Sequence, residues 1–187
     1  EVEHIVKGVE LIGEASYRVQ ARLLAMGELM ATKLGAAFLE QELEATHWLD
    51  ARSCIKTVAQ KNSSERSQII SAVSTTNYDA DVAEAVAQGS PLVVTQGFIG
   101  SDKEDKTVIL GRGGSDVSAA YFAAKIGADR LEVWTDVPGM FSANPHVVPS
   151  ARLLNHLSYE EAQEIATNGA HILHPRSIMP ARQHDIP

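Results

Sequence analysis

The chain has 187 residues, 44% of them hydrophobic, with 24 acidic against 16 basic side chains and a formal net charge of −8. That size buries a real core as one α/β unit, and the acidic balance argues against a nucleic-acid partner. Apolar runs stay short of the roughly 18 residues that a membrane span needs, the first residues carry no basic-then-apolar leader pattern, and the single Cys54 has no internal disulfide partner, so a cytoplasmic protein without membrane contact is expected.

In chain order, residues 15–40 read as a long helix. Val19, Leu23, Met26, Met30, Leu34 and Ala37 recur at helical spacing, and that face is expected to be core. The opposite stripe holds Tyr17, Ala21, Leu24, Glu28, Ala31 and Gly35, so Glu28 is the one charge among small or apolar neighbours. An unpaired carboxylate there costs several kcal/mol to bury. Glu28 therefore reaches solvent, meets a basic partner, or binds a cationic ligand group. Strands are predicted over residues 46–49, 68–73 and 92–95, a helix near 79–88, and a hairpin-like return from 97–100 to 107–110 around a polar tip.

The hairpin runs into Thr107-Val-Ile-Leu-Gly-Arg-Gly-Gly-Ser-Asp116, which reads as a buried strand, a glycine turn and a helix start. Gly111, Gly113 and Gly114 let backbone N–H groups converge on a ligand, and the helix from Ser115 to Ile126 aims its positive end at the same point, as an anion site requires. The turn is neither a Walker loop, which ends in Gly-Lys-Ser/Thr, nor the dinucleotide fingerprint, which has a third glycine where Asp116 stands. Arg112 offers a planar fork for a carboxylate or phosphate. Asp116, an acid beside a phosphate cradle, calls for Mg²⁺ or a lysine between them. The plainer alternative is that Ser115 or Asp116 caps the helix.

Beyond it, a strand is predicted over residues 131–134, with Trp134 in the core and Thr135 and Asp136 at the strand's carboxyl end, where open α/β sheets bind ligands. Val-Pro-Gly139 follows as a tight turn. Helices are predicted near 158–167 and 175–183, the second started by Leu173-His-Pro-Arg176, in which a capping role is the plainer alternative to a ligand role. The seven histidines lie scattered, with no third group ordering any of them into a triad, and no spacing matches a metal site. Strands alternating with helices imply a mostly parallel sheet covered on both faces. The chain starts inside a helical pattern and stops where an apolar strand is expected to follow, so a fragment of a larger protein is expected.

Four stretches, Val93-Val-Thr-Gln-Gly-Phe-Ile-Gly100, Leu110-Gly-Arg-Gly-Gly-Ser-Asp116, Val133-Trp-Thr-Asp-Val-Pro-Gly139 and Leu173-His-Pro175, resemble the aspartate kinases of the amino-acid kinase family in order and spacing over nearly the whole chain. The resemblance implies a three-layer α/β/α sandwich and transfer of phosphate from ATP, with Mg²⁺, to the side-chain carboxylate of L-aspartate, the step that opens lysine, threonine and methionine synthesis. By position it gives Arg112 the substrate carboxylate, Glu28 the substrate amino group, Gly113, Gly114 and Ser115 the substrate-side loop, and Asp116 the organisation of the transfer centre. Thr135, Asp136, Phe141, His146 and His171 fall on the nucleotide side. Residues 1–187 are then expected to form part of one catalytic domain, cut at both ends, whose parent is expected to be a homo-oligomer, with a bifunctional fusion left open.

The sequence departs from the family pattern at several places. Asn144-Pro-His146 stands where Asp-Pro-Arg is usual, His171 where a lysine is, Phe141 where a tyrosine is common, and Ala25-Met26 where Ser-His or Ser-Phe precedes Gly-Glu. The family's Lys-Phe-Gly-Gly-Thr-Ser loop, source of the lysine that Asp116 calls for, and its ACT domains do not occur in these 187 residues, so the fragment alone is expected to be inactive. The alternatives are a degenerate, non-catalytic domain that keeps the fold, and a relative such as glutamate 5-kinase or uridylate kinase. The Glu28 motif and the Trp-Thr-Asp-Val-Pro-Gly run count against the second.

Overall fold

In the computed structural model, described for residues 2–187 except Glu44, Gly89 and residues 169–171, eight helices and four strands follow one another as α1 (Val2–Ile12), α2 (Tyr17–Leu43), β1 (Thr46–Leu49), α3 (Ala51–Cys54), α4 (Glu65–Ile70), α5 (Ala80–Ala87), β2 (Leu92–Thr95), β3 (Ile99–Ser101), β4 (Thr107–Ile109), α6 (Gly114–Ile126), α7 (Tyr159–Thr167) and α8 (Pro175–Gln183). The α/β class expected from the sequence is what the chain adopts. β1 and β2 pair in parallel with Thr46 opposite Leu92, as a strand–helix–strand connection through α5 demands, and β3 and β4 form the antiparallel hairpin with Ile99 opposite Ile109. Residues 55–57 extend this framework, since Ser101 donates its N–H to the Ile55 carbonyl and Thr57 donates to that of Ser101.

The core lies where these strands meet α2 and α6. Ala21, Ala25, Ala51, Ile69, Ile99 and Ile109 form one cluster, and Ile55, Ala72, Val108, Leu110, Val117 and Tyr121 another. Phe122 packs against both and against a third made of Leu49, Cys54 and Val82. Helix α6 is buried nearly all round, down to Lys125, whose ammonium lies 3.7 Å from the Asp79 carboxylate. No helix among the described residues is long and apolar enough to cross a membrane.

Four expectations are corrected. The buried face of α2 is not the one carrying the larger side chains: Leu34 is 74% exposed and Met30 is exposed too, whereas Ala21, Ala25 and Ala36 are buried. Alanines let the helix approach β1 and β4 closely, and closeness rather than side-chain size decides which face is covered. Residues 68–73 are not a strand, because Ser64 accepts the Ser67 N–H as a helix cap and α4 runs to Ile70; beyond it Ala72 donates to the Ile109 carbonyl, Val73 accepts the Val58 N–H and Ser74 bridges to Thr57, which joins this stretch to the sheet framework. Residues 131–134 form no strand either. Leu131 donates its N–H to the Pro187 carbonyl, but no described segment pairs with the residues that follow, and a strand without a paired neighbour has no ladder to hold it. Trp134, expected in the core, is 89% exposed, its indole N–H donating to Glu132.

Candidate functional site

Strand β4 ends at Ile109, and after Leu110 the chain turns through Gly111 and Gly113, both in the left-handed region at φ of +80° and +64°, into α6. Gly113 is the N-cap of α6 and supplies no side-chain cap, which corrects the alternative that Ser115 or Asp116 only caps the helix. The Gly114 N–H donates to the Gly111 carbonyl, and among the described residues those of Ser115 and Asp116 are left to a ligand or solvent, with the positive end of the helix dipole behind them. A side chain at Gly113 is impossible without rearrangement, because its Cβ would fall 2.2 Å from the His174 ring.

Glu28 and Ser115 come together at Gly97. The Gly97 N–H donates to Glu28 Oε1 at 2.9 Å, and a Cβ on Gly97 would sit 2.6 Å from Ser115 Oγ and 3.3 Å from Glu28 Oε1. Of the three fates open to Glu28, a basic partner is not met among the described residues: the half-buried carboxylate accepts the Gly97 N–H on one oxygen, beside Ser115 of the glycine turn. The adjoining Phe98 takes a left-handed φ of +46°, donates its N–H to Ser118 Oγ and accepts from Leu110 N–H. A non-glycine residue in that conformation costs about 1 to 2 kcal/mol and persists only where its surroundings enforce it. Here α6 and β4 do so, and the result is a rigid contact between the 96–98 loop and the glycine turn.

On the other side of the turn, Asp116 Oδ2 accepts the backbone N–H of His174 at 3.1 Å. His174 caps α8 through Nδ1, which accepts the Arg176 N–H, with Pro175 in the first turn, so the capping role in Leu173-His-Pro-Arg176 is real. The motif does more than cap. The Arg176 guanidinium donates to the carbonyls of Leu110 at 2.8 Å and Ala72 at 3.2 Å, tying α8 to the start of the glycine turn. Arg112 projects from the same turn, exposed, and among the described residues it has neither ion pair nor hydrogen bond. A fixed cation, a held carboxylate and an uncapped helix start within one turn suit an anionic ligand that also carries a cationic group.

The expected nucleotide residues fall in a different place. Phe141 and His146 line a cavity of about 650 Å³ together with Val137, Pro138, Asn144 and Ile165, a size within the range of small-molecule sites. Asn144 Oδ1 accepts the His146 N–H, an Asx-turn that an aspartate also makes, so asparagine keeps the turn where Asp-Pro-Arg was the pattern. Thr135 and Asp136 stand just before Val137 without lining the cavity, exposed, the Thr135 hydroxyl donating to Asp136. His171 lies outside the described residues. Neither Gln96, 1% exposed beneath the loop, nor Thr32 on α2 stood out in the sequence, and the only signal was a polar side chain inside a strand pattern.

The model of the amino acid kinase family matches residues 4–187. Lysine-sensitive aspartokinase 3 of Escherichia coli is 35% identical over the whole chain, and aspartokinase 2 of Bacillus subtilis is 34% identical over 93% of it. The chain spans 42% and 41% of those two proteins. The crystal structure of E. coli aspartokinase III in complex with aspartate and ADP, in its R-state, superposes with a TM-score of 0.78 at 34% identity, covering 99% of this chain and 41% of that one.

Proposed function

The chain belongs to the amino acid kinase family, and from that premise we propose that it forms the amino-acid-binding and phosphoryl-transfer region of an aspartate kinase. The observation that carries this is the meeting of Glu28 and Ser115 at Gly97, beside Arg112 and the uncapped start of α6. Arg112 takes the α-carboxylate of L-aspartate in a forked contact, and Glu28 takes the ammonium with the oxygen that Gly97 leaves open. The side-chain carboxylate then lies toward the α6 N-terminus. Its oxygen attacks the γ-phosphorus of ATP, one P–O bond forms, the bond to the ADP oxygen breaks, and no proton needs to move. Catalysis of this kind is positioning and charge neutralisation, and the N–H groups of α6 and the glycine turn face the transferring group. The 650 Å³ cavity at Phe141 and His146 receives the adenosine, with Thr135 and Asp136 at its edge. Similarity to a structure that holds aspartate and ADP supports both halves.

Among the described residues no three His, Cys, Asp or Glu side chains gather into a metal cage. That suits Mg²⁺, which kinase sites hold mainly through phosphate oxygens and one or two carboxylates. Asp116 would be the carboxylate that holds it, and the bound ion would neutralise phosphate charge. The lone thiol of Cys54, buried, fits a reducing, cytoplasmic setting.

Calorimetry tests the amino-acid half directly. L-aspartate binds, L-glutamate binds at least tenfold more weakly, and Arg112→Ala weakens L-aspartate by roughly tenfold or more, the worth of one charge-assisted contact. Equal affinity for the two amino acids, or indifference to Arg112, overturns the assignment. Aspartate-dependent ADP release by the intact protein separates a kinase from a binding domain that has lost the reaction.

A further inference from the structure

We propose that Gln96 is a positioning residue that sets Glu28 through Thr32, an inference that rests on the amino-acid role given to Glu28. The Gln96 side chain is 1% exposed and bonded at both ends of its amide. Its Oε1 accepts the Ala51 N–H at 2.8 Å, while Nε2 donates to the Leu49 carbonyl at 3.2 Å and to Thr32 Oγ1 at 3.1 Å. A backbone donor on one end and a backbone acceptor on the other leave only one orientation for the amide.

Thr32 is bonded as fully. Its hydroxyl has one hydrogen and two lone pairs: it donates to the Glu28 carbonyl at 2.9 Å, with the Leu29 carbonyl a longer second acceptor at 3.3 Å, and accepts from Gln96 and from the Trp48 indole N–H, each at 3.1 Å. Glu28 and Thr32 stand four residues apart on one face of α2. The residue after Gln96 is Gly97, whose N–H holds Glu28 Oε1 at 2.9 Å. Two successive residues of one loop therefore grip two successive turns of one helix, Gln96 by its side chain at Thr32 and Gly97 by its backbone at Glu28. Because Gln96 is also bonded to both sides of the turn that follows β1, it fixes the height of α2 against the sheet, and with it the distance between the Glu28 carboxylate and the glycine turn. The hydroxyl bond to the Glu28 carbonyl fastens the helix backbone at the residue whose side chain is being aimed.

Thr32→Val keeps shape and removes the hub, Thr32→Ser keeps the hydroxyl, and Gln96→Met removes the amide. Amide hydrogen exchange at Gly97 reads the geometry without any ligand, with Val108 in the core as the internal standard. In Thr32→Val and Gln96→Met, Gly97 exchange accelerates roughly tenfold or more, as loss of about 1.4 kcal/mol of local protection implies, while Val108 keeps its rate and Thr32→Ser behaves as the parent. An unchanged Gly97 rate in Thr32→Val overturns the inference. So does an equal acceleration at Val108, which marks general loosening. L-aspartate calorimetry on the same samples keeps the two proposals apart: an unaltered chain that does not bind L-aspartate sinks the functional assignment and leaves the exchange result to judge Gln96 by itself.

Discussion

Residues 17–126 and residues 131–157 are built differently. The first stretch holds three apolar clusters around α2, the strands and α6, and its loops are fastened by buried polar side chains such as Gln96 and Ser101. In the second, not one residue is buried, and the chain is held by turns, by the single Phe141–Leu153 bridge and by local bonds such as Asn144 to His146. On the proposed assignment, the amino-acid half of the site belongs to the packed region and the nucleotide half to the exposed one, where any ordering on binding lowers net affinity for the same contacts.

Four measurements break or sharpen this contrast. Gly113→Ala adds a left-handed non-glycine residue and a clash with the His174 ring, so it costs roughly 4 kcal/mol and lowers the melting temperature by roughly 10 °C. Leu110→Ala empties a fully buried site between β4 and α6 and costs about 3 kcal/mol in urea unfolding. Acid is a gentler probe. The Arg52 guanidinium, hydrogen-bonded to Asp50, holds that carboxyl below the ordinary range. The stabilisation is present above the unfolded value and lost as pH falls through the folded one, so Asp50→Asn is less stable than the parent at pH 7 and the gap closes below about pH 4. Trp134→Ala, at an 89% exposed side chain, changes stability by less than about 0.5 kcal/mol. A loss at Trp134 comparable to that at Leu110 would show the second region to be packed after all.

Much of the site was legible in the residues. Three glycines before a helix predicted the turn, Pro175 and His174 predicted the start of α8, and Glu28 stood out as a charge in an apolar stripe. Helices with capping signals, such as α7 with its Ser158 and Glu161 box, were found within a residue or two. The failures share a cause. Ile69 and Ile70 looked like a strand because β-branched pairs favour one, yet the Ser64 cap and the packing of Ile69 against Ala21 and Ala25 made them helix. Val133 and Trp134 looked like a strand and a core residue, but a strand exists only with a neighbour to pair with.

The sequence by itself determined the family, the α/β class, the glycine turn and the residue types of the proposed site, since each is written in contiguous residues whose local conformational and hydrogen-bonding preferences suffice. Only the tertiary structure decided which face of α2 is covered, that Glu28 and Ser115 meet at Gly97, that Arg176 ties α8 to Leu110, and that Gln96 and Thr32 join the helix to the sheet. Those outcomes depend on how closely distant segments approach, and alanine, glycine and a buried amide leave no periodic trace of the partner they will meet.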